Sequence, residues 1–277
     1  MRLLYGLLVI IFSIDSCKFN KSAPPGFVFV KGGFTKNIKS NLYNSSVLIR
    51  DFYISKYEVT QKEWWEVMGY NPSGFKGDSL PVESINWYES IEYCNKRSLK
   101  EGLEPVYLLD KMKKDTDNKS EFDSLKYTVK VRKNANGYRL PTELEWEYAA
   151  SGGQESLNYS YSGSDDINEV AWFWKNSGNK ELKGEWSWMI LENNRCSTKK
   201  IGVKKPNELG VYDMSGNVRE WCEDWYQDYQ TPMGLLRSQR GGGWMGADSR
   251  CQIFNRHSFE ASGKGTDQGL RLCRSVL

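Results

Sequence analysis

Reactive side chains are most concentrated in Arg240-Gly241-Gly242-Gly243-Trp244-Met245-Gly246-Ala247-Asp248-Ser249-Arg250-Cys251. A thiol such as Cys251 can serve as a nucleophile or as a soft-metal ligand. Either role needs company, a base to ionise it or a second thiolate to share the metal. The chain offers six cysteines (Cys17, Cys94, Cys196, Cys222, Cys251 and Cys273) and one histidine, His257. No CxxC occurs, which argues against a structural zinc site of the Cys/His kind. No Ser or Asp near His257 makes a recognisable triad, so His257 reads as a surface or contact residue. Cys251 reads as a buried or disulfide-bonded cysteine before it reads as a nucleophile. Five cysteines remain after Cys17 and cannot all pair within one chain. Motif proximity favours Cys222, in Glu220-Trp221-Cys222, as the partner of Cys251.

The elements that must position this segment announce themselves through caps and alternation. Phe27-Val28-Phe29-Val30 followed by Gly32-Gly33 reads as a strand and turn, and Val47 to Ile54 as a second β-rich stretch. Thr60-Gln61-Lys62-Glu63 is a capping box that opens a helix over Gln61 to Met68, stopped at Gly69. Asn86-Trp87-Tyr88-Glu89 repeats the device and sets Trp87, Ile91 and Cys94 on one helix face. Thr142-Glu143-Leu144-Glu145 does so a third time, after Pro141. Leu109 to Lys133 reads as loop followed by a strand or hairpin, and Gly152 to Asn168 as loop. The Trp-dense run Trp172 to Trp188 reads as aromatic loops pinned to the body. Three short capped helices among strands and long loops make one irregular α+β domain.

Composition bounds the function. The chain has 277 residues, 39% of them hydrophobic, with 11 Trp, 16 Tyr and a formal charge of +3. Mean hydropathy is −0.64. The aromatics suggest a fold held by large plugs, and the near-balanced, dispersed charge gives no nucleic-acid footprint. At the N-terminus, Arg2 precedes the apolar run Leu3 to Ile14, which is too short to span a bilayer. Ile14-Asp15-Ser16-Cys17 resembles a bacterial lipobox, although Asp15 is atypical there. The expected organisation is a signal peptide over 1–16, a tether over 17–25 and a domain over 26–277. Cys17 would carry a lipid that holds the exported protein at an outer membrane or cell surface. The alternative is a secretory signal cleaved nearby.

Several blocks occur in a family's order: Tyr53-Ile54-Ser55-Lys56-Tyr57-Glu58-Val59-Thr60, Pro81-Val82-Glu83-Ser84-Ile85-Asn86-Trp87, Gly137 to Glu147, Asn207-Glu208-Leu209-Gly210, Gly210 to Trp221, the glycine-rich segment itself, and Gly269-Leu270-Arg271-Leu272. On these blocks the chain resembles the formylglycine-generating enzyme (sulfatase-modifying factor) family over about residues 26 to 277. The resemblance implies a single loop-rich domain of C-type-lectin-like variant fold. It implies calcium held by Asp213, the Gly216 and Val218 carbonyls, and Glu220, an oxygen set suited to a hard cation. The other reading of that block is a turn at Gly216-Asn217 with Glu220 in a salt bridge. Arg219 stands where an aromatic residue is usual. A second family calcium site has no clear match around Asn176 to Leu209.

The family's oxidases convert a substrate cysteine to formylglycine with copper(I) on two thiolates five residues apart. Here the second is Cys251 and the first position is Gly246, so the resemblance carries no copper site. A related iron-dependent branch needs three histidines, which one histidine cannot supply. The expected function is therefore non-catalytic binding of a protein or glycan ligand. Other family members are surface receptors diversified by retroelements in this C-terminal segment. The matching residues are Trp244, Asp248, Arg250, Gln252, Phe254, Asn255, His257, Phe259 and Glu260. The alternatives are a sulfatase-modifying oxidase and a structural envelope or motility lipoprotein.

Overall fold

The structure is a computed structural model that describes residues 23–35, 46–228 and 230–276. The expected signal peptide and Cys17 lie outside the described residues. Along the chain, β1 (Phe27–Val30) is followed by the antiparallel pair β2 (Gly33–Thr35) and β3 (Val47–Ile49), then by β4 (Phe52–Ser55). The expected β-rich stretch is thus two strands. Helices α1 (Gln61–Met68) and α2 (Trp87–Lys100) come next. Thr60 and Glu63 close the first capping box, Asn86 and Glu89 the second. Gly69 ends α1 with a left-handed φ of 81°, a conformation glycine adopts without steric cost. The two helices lock through Trp64 and Tyr93, whose rings stack at 5.1 Å.

The hairpin β5 (Tyr107–Lys114) and β6 (Tyr127–Val131) follows. From Leu109 onward its first strand occupies residues that the sequence suggested as loop. Only Tyr107 is buried and only Leu109 half-buried on that strand, so little hydrophobic alternation marks it. Next come β7 (Tyr138–Arg139), α3 (Glu143–Ala150, capped by Thr142 and Glu145), α4 (Ile167–Val170), β8 (Ala171–Trp172) and α5 (Trp188–Asn193). The last third holds β9 (Ser215–Gly216), β10 (Arg219–Trp225), β11 (Arg237–Arg240), β12 (His257–Phe259), β13 (Gln268–Gly269) and β14 (Cys273–Ser275).

Two four-stranded sheets organise the whole. One has the order β1-β4-β14-β7, so the C-terminal strand is clamped between early elements. The other has the order β12-β11-β10-β13, with β10 and β13 parallel. One core cluster joins α1 and α2 to Trp221, Leu270 and Leu272, and a second gathers Ile54, Trp146, Met214 and Cys222. A third, around Phe173, Trp174, Trp244 and Cys251, underlies the glycine-rich segment.

Candidate functional site

The glycine-rich segment leaves β11 at Arg240, whose side chain is fully buried. Its guanidinium pairs with Glu147 and lies 3.3 Å from Glu143. It also donates to the carbonyls of Ile253 and Asn255, at 2.9 and 2.7 Å. Both ends of the loop are thereby tied to α3. Gly242 has φ of 73°, and a Cβ there would stand 2.7 Å from the Arg250 carbonyl and 2.9 Å from Cys251 Sγ. Only glycine fits, and the turn is forced back over Cys251. Trp244 then plugs the third cluster, edge-on to Phe75, with its indole N–H donated to the Thr266 carbonyl at 2.9 Å.

Cys251 has no exposure, and burial pushes its thiol up to about 12. At neutral pH it is a protonated, apolar filler and no nucleophile. All five described cysteines are free and buried. Cys222 belongs to the second core cluster and Cys251 to the third, so the expected pairing is not formed. Proximity in motif is not proximity in space, because β10 and the loop after β11 face different cores.

Gly246 is held by its N–H to the Gly243 carbonyl and by its own carbonyl to the Trp174 N–H. A Cβ at this position would meet Gly243 O at 3.2 Å and Arg250 Cβ at 3.6 Å, so a side chain could be seated with a shift of tenths of an ångström. The backbone at 246 does not require glycine. A copper(I) pair does require a thiolate there, and the residues present do not fit that metal.

The residues expected to contact a ligand divide into three groups. Asp248, Arg250 and Gln252 are exposed on and just after a short 3-10 turn, and Phe259 is exposed at the edge strand β12. Phe254, Asn255 and Glu260 are half-buried. Trp244 and His257 depart from expectation. Trp244 is buried in the core cluster just described. His257 is largely enclosed, and burial together with the charges of Arg219 and Arg250 depresses it to about 3, so it is neutral at pH 7.

By register, His257, Gln239, Trp221, Arg219 and Gln268 share one sheet face. On it His257 Nε2, Gln239 Nε2, Arg219 Nε and Gln268 Oε1 are buried without a hydrogen-bond partner. Arg219, unexpected at its position, is paired with Asp267.

A feature the residue-by-residue reading missed lies beside Met245. Trp186, Trp188 and Met189 are 43%, 52% and 69% exposed. Trp186 donates its indole N–H to the Met245 carbonyl at 2.9 Å, and Trp188 meets it edge-on at 5.4 Å. The signal in the sequence was the Trp density of that loop, read there only as anchoring.

The block expected to hold calcium is organised around Arg271. Glu220 accepts two 2.6 Å bonds from Arg271, one to each carboxylate oxygen, and a third from the Trp146 indole. This is the salt bridge of the second reading. A cation on Asp213, Gly216, Val218 and Glu220 would share the Glu220 carboxylate with Arg271. Asp213 accepts from the Gly202 N–H at 2.7 Å and leaves Oδ1 unpartnered. Glu58, not singled out from sequence, accepts from Asn217 at 2.6 Å and from the Val218 N–H. Burial, then the like charges of Asp213 and Glu220, hold its carboxyl well above the ordinary value.

Compared with known proteins, residues 15–276 match the family described as the sulfatase-modifying factor enzyme 1-like domain. A chaperone protein, LppX, of Paenibacillus barcinonensis is 51% identical over 99% of this chain and 98% of its own length. The formylglycine-generating enzyme of Streptomyces coelicolor is 32% identical, over 47% of this chain and 42% of its own length. Among solved structures, Treponema denticola variable protein 1 superposes with a TM-score of 0.71 at 30% identity, covering 90% of this chain and 94% of that one.

Proposed function

This chain belongs to the sulfatase-modifying factor enzyme 1-like family, and we propose that within it the chain is a non-catalytic binding protein, exported and held by a lipid on Cys17. Its ligand on this reading is a polypeptide, captured on the surface beside residue 246. The observation that carries the proposal is the exposed Trp186–Trp188–Met189 cluster, fixed to the Met245 backbone where an oxidase would hold its metal. Exposed apolar clusters rimmed by polar groups mark interaction sites, and Trp side chains dominate the energetics of such surfaces. Asp248, Arg250 and Gln252 supply the polar rim. The name of the Paenibacillus relative, a chaperone protein, supports a polypeptide over a glycan.

The test is binding of a fluorescent unfolded polypeptide by the full chain and by Trp188→Ala/Met189→Ala. These side chains are more than half exposed, so the variant should melt as the parent does. Its affinity should fall about 10- to 100-fold, in keeping with hot-spot losses of about 1–3 kcal/mol. Undiminished binding would overturn the proposal. The second reading is the oxidase, favoured by the partial likeness to the Streptomyces enzyme and opposed by Gly246. It is separated by incubating the protein with copper and a sulfatase-type cysteine peptide.

A further inference from the structure

The β5–β6 hairpin has two outer edges, and they are finished differently. The Arg132 N–H donates to the Val106 carbonyl at 2.8 Å, and the Asp115 N–H to the Lys126 carbonyl at 2.8 Å. Between these ties the register sets Leu108 opposite Lys130 and Asp110 opposite Thr128. Main-chain groups alternate along an antiparallel strand. Lys126, Thr128, Lys130 and Arg132 therefore turn theirs to β5, while Tyr127, Val129 and Val131 turn theirs away. On the β5 side the outward groups of Tyr107 are satisfied. Its N–H donates to Asn95 Oδ1 at 3.0 Å, and its carbonyl accepts from Asn95 Nδ2 at 2.7 Å. Helix α2, which carries Asn95, covers that edge. The β6 edge has no such cover: among the described residues no hydrogen bond reaches the outward main-chain groups of Val129 or Val131.

That edge opens onto a cleft of about 390 Å³ between the hairpin and the end of the β10–β11 pair. Thr128, Val129, Lys130 and Val131 all line it. Neighbouring side chains on a strand point to opposite faces, so four consecutive residues share one wall through the edge of the strand. Tyr127 and Val129 pack their side chains against the first core cluster, and Lys130 stands on the other face. The remaining charges of the cleft balance, with Lys113, Lys114 and Arg237 against Asp115, Asp117 and Glu223. On the wall made by β10 and β11, Arg237 is fixed between Trp87 and Trp225, 3.7 and 3.6 Å from their ring centres. Asp115, Glu223 and Asp224 bear on its charge, so the cleft holds no surplus for an ion. Its Nη1 donates to the Glu223 carbonyl at 2.9 Å, and its Nε is buried without a partner. What the cleft leaves unmatched is uncharged hydrogen-bonding capacity along β6.

We propose that β6 is a docking edge: an extended, uncharged polypeptide segment of another protein joins it as a further strand, hydrogen-bonded to the main chain of Val129 and Val131. An unpaired strand edge is a template for such pairing, in which main-chain bonds supply the affinity. Tyr127 to Val131 spans about 14 Å at about 3.4 Å per residue, which matches an added strand of about five residues. A polyamide also suits a wall without net charge, since its N–H and C=O groups need no counter-ion. The site uses none of the residues around position 246 and stands whether or not the polypeptide-binding reading there does.

The experiment titrates the full chain, labelled with nitrogen-15 at valine, with a capped, uncharged pentapeptide of alternating threonine and valine. The control is the same peptide with every amide nitrogen methylated, which keeps the side chains and removes the pairing N–H groups. The Val129 and Val131 amide signals should move downfield and saturate with the first peptide and not with the second. Val131→Pro removes an outward N–H and no bond to β5, at an exposed position. It should melt near wild type and bind about fivefold more weakly, the loss of one main-chain hydrogen bond. Val129→Pro repeats the test at the half-buried position, and if it does not fold Val131→Pro decides alone. Trp188→Ala/Met189→Ala should bind this peptide as wild type does; loss of binding there would assign the peptide to the surface beside residue 246 and overturn the edge. No saturable shift, an equal shift with the methylated peptide, or a Val131→Pro variant that binds as wild type does would also overturn the proposal. So would a dimer in sedimentation equilibrium that Val131→Pro abolishes, since the edge would then belong to a second copy of this chain.

Discussion

Asp213→Asn should stabilise this protein at neutral pH. Asp213 is 3% exposed, with φ of 57°, in the left-handed region that Asn tolerates better than most residues. Burial, opposed by the Gly202 N–H and Arg271 and aided by the charge of Glu220, raises its carboxyl from the ordinary 3.8 to about 6. The sign follows from the folded value lying above the unfolded one. The group's stability contribution is fully present below the unfolded value and is lost as pH rises through about 6. That interval corresponds to about 3 kcal/mol, an order-of-magnitude figure. Asn keeps the acceptor for the Gly202 N–H, carries no charge, and removes a like-charge neighbour of Glu58, whose carboxyl is itself raised.

Urea unfolding followed by tryptophan fluorescence, in chelator-treated buffer from pH 4 to pH 8, should show the variant near wild type in acid. By pH 7.5 it should lead by up to about 3 kcal/mol, roughly 2–4 °C of Tm per kcal/mol for a chain of this size. A variant less stable at pH 7.5, or an advantage that does not shrink in acid, would refute the reasoning. Calcium gives a second arm. If Asp213, Gly216, Val218 and Glu220 hold the ion, adding it stabilises wild type and not the variant, and the order reverses.

The other expectations are shorter. Cys17→Ala should move the protein from membranes to the soluble fraction; unchanged detergent partitioning would reject the lipid. Wild type should neither bind copper(I) tightly nor change the mass of a cysteine peptide, whereas Gly246→Cys, with room for its Cβ, should gain stoichiometric copper. Stoichiometric copper at Cys251 in the wild type, with mass loss on the peptide, would return this chain to the oxidases.

Local signals carried most of the fold. The three capping boxes are backbone chemistry complete within four residues, and each opens a helix as read. Family blocks carried the rest, because the architecture is mostly loop and periodicity says little about loop. What the sequence could not convey was long-range. Arg271 meets Glu220 across 51 residues, and Glu58 meets Asn217 across 159. No spacing rule connects such positions, so neither the Glu58–Asn217 contact nor the separation of Cys222 from Cys251 is legible in the sequence. Trp244 and His257 sit among residues of contact type, yet one plugs a core and the other is enclosed by two arginines. Residue type does not reveal which way a side chain turns once the backbone is a loop.

These long-range contacts also explain why the frame tolerates glycine at 246. The loop is positioned by Arg240 on Glu143 and Glu147, by the Trp244 N–H on the Asn217 carbonyl, and by Asn217 on Glu58. None of these involves a thiol, so the placement of the loop does not depend on a thiolate at 246. Cys251 persists as an apolar plug under Gly242, where its size matters and its ionisation does not. The loop held in this way presents Asp248, Arg250 and Gln252 to solvent, with two tryptophans beside it. Preorganisation lowers the ordering cost of binding as it does that of catalysis. On the proposed binding reading, this same frame serves to hold a ligand.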